Sequence, residues 1–81
     1  MSRERNLRWE EMSIRDILTL AITDENEACD YYRQAAERAV NPHTRNVLLT
    51  LAEMEEGHAA TLQLELEELD AQRECETAMA D

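Results

Sequence analysis

Ala39-Val40-Asn41-Pro42-His43-Thr44, residues 39–44, is the stretch that decides how this chain folds. Proline lacks an N–H and pushes the residue before it out of helical geometry, so a helix arriving from upstream stops here. Read forward, the same residues start a helix. Asn41 is an N-cap residue, and Pro42 stands at the first helical position, where the missing N–H is not needed. Upstream, Ser13 and Asp16 form a capping box with Asp in place of Glu, which places a helix start at Ile14. The spacing therefore predicts one helix from Ile14 to about Val40 and a second from Pro42 to about Arg73.

Apolar periodicity extends outward from the break on both sides. Ile14, Leu18, Ala21, Cys29, Tyr32, Ala36 and Ala39 recur at helical spacing before it; Leu48, Leu51, Ala59, Leu62, Leu66 and Leu69 do so after it. Ala, Leu, Glu, Arg and Gln dominate, and all are strong helix formers. The expected fold is all-α, an antiparallel two-helix hairpin over 13–73. A polar N-terminal extension, 1–12, precedes it, with Leu7 and Trp9 as candidate anchors, and a tail, 74–81, is expected to fray. Two helices of an 81-residue chain enclose little core. Ile17, Leu20 and Ala35 also widen the apolar band of the first helix beyond what one partner covers. Both features predict oligomerisation, with two hairpins completing a four-helix bundle.

The formal net charge is −11, with eight Arg and no Lys. That balance argues against nucleic acid and anionic membranes as partners and suits the attraction of cations. No apolar run is long enough to span a bilayer, and Met1 to Glu10 lack a signal-peptide core. Cys29 and Cys75 are too few and too far apart for a zinc knuckle or redox pair. Cys29 falls on the apolar stripe as a small buried hydrophobe. A reducing, cytoplasmic location is expected.

Two carboxylates interrupt the stripes. At about 100° per residue, Leu18, Ala21, Cys29 and Tyr32 all fall within about 40° of Glu25, and Leu48, Leu51, Ala59 and Leu62 lie as close to Glu55. Each Glu is therefore expected in the middle of a buried stripe, where an unpaired carboxylate costs on the order of several kcal/mol and needs a cation, a proton or a hydrogen-bond partner. Both stand about fifteen residues from the turn, roughly 22 Å along their helices, so the hairpin sets them side by side. His58, one turn beyond Glu55, completes a Glu-x-x-His pair. A carboxylate-bridged di-iron bundle takes one Glu from each of two helices and a Glu-x-x-His from each of the other two. One hairpin carries half of that set, so two copies would hold two irons. Carboxylates with an imidazole suit iron or manganese better than structural zinc. Tyr32 is a core aromatic or a hydrogen-bond donor to a ligating carboxylate. Asp24 and Glu27, with Tyr31 beyond, are a solvated face or a cation-access site. The contrasting expectation is a metal-free dimerisation module, with Glu25 and Glu55 protonated or paired to Arg.

Ala21-Ile22-Thr23-Asp24-Glu25-Asn26-Glu27-Ala28 running into Tyr31-Tyr32, and Leu51-Ala52-Glu53-Met54-Glu55-Glu56-Gly57-His58, resemble the ferritin-like superfamily, in its rubrerythrin and encapsulated-ferritin branches. The resemblance covers about Ile14 to Leu69. It implies a ferroxidase that oxidises Fe(II) with O₂ or H₂O₂ at a di-iron centre shared by a homodimer, itself part of a larger ring. By the same resemblance, Glu25, Glu55 and His58 match iron ligands and Tyr32 a tyrosine beside the centre. Asp24 and Glu27 match acidic access positions, and Tyr31 stands where tryptophan is common. A rubrerythrin-like peroxidase drawing on an external electron donor is the neighbouring activity, and passive iron binding or delivery a further one. Enclosure in an encapsulin shell is also implied by the resemblance, but Ala78-Met79-Ala80-Asp81 does not look like the hydrophobic targeting peptide. No rubredoxin-like Cys-x-x-Cys pair is present.

Overall fold

A computed structural model describes the backbone of residues 9–79 and the side chains of residues 10–72. A single 3₁₀ turn, Trp9–Glu11, leads into α1, Ile14–Arg38, and α2, Pro42–Met79. Both helix starts follow the sequence. Ser13 Oγ accepts from the Asp16 N–H at 3.0 Å, while Asp16 Oδ2 accepts from the Ser13 N–H at 3.2 Å. Asn41 Oδ1 accepts from the N–H groups of His43 at 2.8 Å and Thr44 at 3.1 Å. These contacts satisfy backbone donors that the first helical turn leaves without partners.

The helix ends differ from expectation. α1 stops at Arg38 rather than Val40, because Ala39 is already extended (φ −74°, ψ 122°) to carry the chain into the Asn41 cap. Arg45 Nη2 then donates to the Ala39 carbonyl at 2.8 Å and closes the turn. α2 continues past Arg73 to Met79. Residues 74–79 contain neither Gly nor Pro, so nothing in their backbone chemistry stops the helix. Leu7 and the side chains of Trp9 and Cys75 lie outside the described residues. No described helix is long and apolar enough to cross a membrane.

Principal extents of 61 × 27 × 12 Å make the hairpin a single layer, one helix of about 10–12 Å thick. Its seam follows a heptad rule (positions a to g). Position a holds Ile22, Cys29 and Ala36 on α1 and Ala52, Ala59 and Leu66 on α2, and all but the half-buried Ile22 are buried. Ala52 is 1% exposed. Four of these six residues are Ala or Cys, so the two backbones approach closely. Position d holds Leu18, Glu25, Tyr32 and Ala39 on α1 and Leu48, Glu55, Leu62 and Leu69 on α2, and every one is half-buried. Because the helices are antiparallel, both d rows turn toward the same side of the layer, which leaves an apolar, partly open face. The opposite side is polar. There Arg33 Nη2 meets Glu56 at 2.8 Å, and Arg15 makes two bonds to Asp70, at 2.9 and 3.3 Å. These exposed pairs fix register more than they stabilise, since water and salt screen them.

Candidate metal centre

The middle of each helix places Glu25 and Glu55 at equivalent d positions, one from each helix. This is the side-by-side arrangement that their equal distance from the turn predicts. Their relation to the core differs from expectation. Position a, not d, is the centre of the buried seam, and d lies about 60° around the helix from it. The two carboxylates thus occupy the inner edge of the open face rather than the middle of a buried stripe. The apolar stripe on each helix is wider than one partner helix can cover, so its midline falls between the seam and the open face.

One ligand atom each from Glu25, Glu55 and His58 lie within 4.8 Å of one another. His58 Nδ1 is 3.2 Å from Glu25 Oε2. Glu25 is 26% exposed and His58 58%, so the group opens toward the uncovered side. The Glu55 carboxyl is held above the usual Glu value of 4.5, first by its hydrogen bond to Glu25, then by partial removal from water and by the Glu25 charge. His58 pulls it in the other direction. The neighbouring Glu25 charge therefore favours the protonated form of Glu55.

A divalent cation can take the place of that proton, and the donor set fits one. Two carboxylates and an imidazole are the ligand types that iron and manganese accept. Three residues are too few for a bridged metal pair, which takes four Glu and two His. The face on which the three ligands open is the face that lacks a covering layer.

The proton on Glu55 has a thermodynamic signature. Glu55 holds its proton more tightly folded than unfolded. The stability this contributes is full below the ordinary value of 4.5 and is lost as pH rises through the raised folded value. We expect the melting temperature of metal-free wild type, measured relative to Glu55→Gln, to fall as pH is raised from about 4.5 to neutrality. A difference that stays flat over that range would remove the crowded-carboxyl account.

The other singled-out residues are near this group but outside it. Tyr32, the next d residue after Glu25, is half-buried and packs edge-on against Tyr31 with ring centroids 5.6 Å apart. Asp24 and Glu27 are half-buried on the far side of α1, and Tyr31 is exposed there. Neither carboxylate joins the Glu25, Glu55 and His58 cluster. Glu56, exposed beside Glu55 in the chain, is tied by Arg33 to the polar side, which keeps it from competing with Glu55. The heptad phase carries that signal, since Arg33 and Glu56 both fall at position e. A hollow of about 480 Å³ lined by Arg33, Ala36, Glu37, Arg45 and Leu49 lies toward the turn and contains no member of the cluster.

Residues 16–80 match the model of the family described as Rubrerythrin. Comparison with curated proteins and with solved structures returns no match.

Proposed function

We propose that this chain, which belongs to the rubrerythrin family of the ferritin-like superfamily, is a ferroxidase whose di-iron centre is assembled between two copies. Members of the family are generally di-iron oxidoreductases that bind iron. The observation that carries the reading is the position of the half-site. Glu25, Glu55 and His58 converge within 4.8 Å on the uncovered face of a one-layer hairpin. A second copy laid on that face supplies the remaining ligands and the second layer together.

Each residue then has a role. Glu55, which crowds Glu25 across the seam, would hold iron at the middle of the donor set. Glu25 and His58 would hold it beside Glu55, and the Glu25 carboxylate orients the imidazole through Nδ1. Bound iron supplies one-electron redox chemistry at this site. Leu18, Leu48, Leu62 and Tyr32 surround the carboxylates at d and exclude water once the face is covered. The net charge of −11 favours approach of Fe(II). Fe(II) is itself the electron donor and O₂ or H₂O₂ the acceptor, so the ferroxidase reading requires no separate reductant, whereas a peroxidase does.

The test is anaerobic addition of Fe(II) to metal-free protein, followed by air. About one iron bound per chain is expected, the stoichiometry of a two-iron site shared by two chains. Ferric absorbance should then rise faster than in protein-free buffer. Binding without accelerated oxidation would leave a passive iron carrier. Oxidation that turns over H₂O₂ only with an added electron donor would favour the peroxidase.

A further inference from the structure

α2 has a second patterned face, and it points away from α1 and from the carboxylates. Val47, Thr50, Met54, Gly57, Thr61 and Leu64 follow one another at alternating spacings of three and four, the c and f positions of the heptad. None is charged, in a chain of net charge −11. All six are exposed, Met54 at 51% and Leu64 at 64%. The two threonines donate their hydroxyls back to their own helix, Thr50 to the Asn46 carbonyl at 2.9 Å and Thr61 to the Gly57 carbonyl at 3.1 Å. Their polar atoms are thereby satisfied within the helix. Gly57 is the chain's one glycine, set in mid-helix where glycine is unfavourable, and a Cβ added there would meet nothing within 4 Å. The hairpin itself gives no reason for a glycine at this place.

We propose that this face docks a second copy of the chain, α2 against α2, antiparallel, as an association surface separate from the face that bears Glu25 and Glu55. The register follows from size. In an antiparallel pair, residues lie level when their numbers sum to a constant, and a sum of 111 makes every layer complementary. Met54 then enters the space beside the partner's Gly57, and Gly57 receives the partner's Met54. Val47 meets the partner's Leu64, and Thr50 meets the partner's Thr61. At the ends, His43 meets the partner's Glu68, an acceptor for an imidazole N–H. Flanking the seam, the nearest residue on the same side is the partner's Ala60 for Glu53 and the partner's Asn46 for Glu67, each two residues from level, so no Glu opposes a Glu. A surface that complements itself under a two-fold axis is the mark of an isologous contact. In a chain this acidic, a seam free of charge is where two copies can approach with least repulsion. Repetition of this contact on top of the shared-site pairing links dimers into a larger assembly.

The experiment is light-scattering mass of iron-loaded wild type and of Met54→Glu/Leu64→Glu, with helicity by circular dichroism as the folding control. Both substitutions put exposed carboxylates on α2 without touching the hairpin seam. Wild type is expected at four or more times the 9.4 kDa chain mass, and the variant at half of that or less with helicity intact. Gly57→Ala, which has room for its methyl within the chain, should weaken the larger assembly at least tenfold while raising helicity. A fall from dimer to monomer in the charged variant would uphold the α2 contact and sink the shared iron centre instead. Equal masses for wild type and the charged variant, or a wild type no larger than a dimer that the variant leaves intact, would overturn the proposal.

Discussion

Glu55→Ala is expected to leave Fe(II) oxidising at the rate of protein-free buffer. Glu55 stands at the contact between helices, within reach of both Glu25 and His58, so its loss removes the group that joins the two halves of the donor set. Substituting residues that only orient metal ligands costs roughly 10–100-fold in affinity or activity, and removing a residue that itself holds the metal would cost at least that. The sign of the stability change separates a metal site from a structural carboxyl. In the metal-free protein, Glu55 is crowded by Glu25 and partly shut off from water. Glu55→Gln keeps the shape and deletes that crowding, so at neutral pH it should melt at or above wild type while showing no catalysed oxidation. Stopped-flow absorbance and a thermal melt on the same preparation measure both. Retained oxidation in Glu55→Ala would sink the site assignment. A Gln variant that loses stability at neutral pH would mean Glu55 serves the fold.

The hairpin and its half-site were readable because local chemistry specified them. Asn41-Pro42 and Ser13-Asp16 are capping signals that act within a single turn, and both appear at hydrogen-bond distances in the structure. The level placement of Glu25 and Glu55 needed only the rise per residue and the position of the turn. What was not readable from the stripes is their phase. The pattern of apolar residues averages over the seam and the open face, so its midline passed through Glu25 and Glu55, whereas the seam runs through Cys29, Ala36, Ala52 and Ala59. Alanine contributes little to an apolar count but allows the closest approach of two backbones, which is why the seam formed there. The far end of α2 was misjudged for a different reason. Residues 74–79 extend no apolar stripe, yet the end of a stripe only ends the buried face, and a helix of Glu, Arg, Ala and Met needs no buried face to continue from one.

Ala35→Glu combined with Leu51→Glu should abolish iron oxidation without altering any ligand. Both residues lie at position g, beside the d rows on the open side of the layer, and both are half-buried in the single chain. Neither belongs to the buried seam of Cys29, Ala36, Ala52, Ala59 and Leu66, and Glu is a good helix former, so the hairpin can still form. In a bundle of two hairpins the same positions face the partner layer, where each copy would contribute two added carboxylates with no cation to meet them. Burying even one unpaired charge costs on the order of several kcal/mol, comparable with the whole stability of a small domain at roughly 5–15 kcal/mol. The pairing would therefore fail. With it the donor set would shrink from four Glu and two His to the three residues of one chain, which hold an ion far more weakly than a bridged site. Titration with Fe(II), read beside the light-scattering mass, gives the result. The expected variant has a mass at least halved, far weaker iron binding and oxidation at the buffer rate. Wild-type oxidation at a reduced mass would mean that one chain suffices, and the centre would then belong within a single hairpin. Wild-type mass and activity together would move the pairing of chains away from the d and g rows altogether.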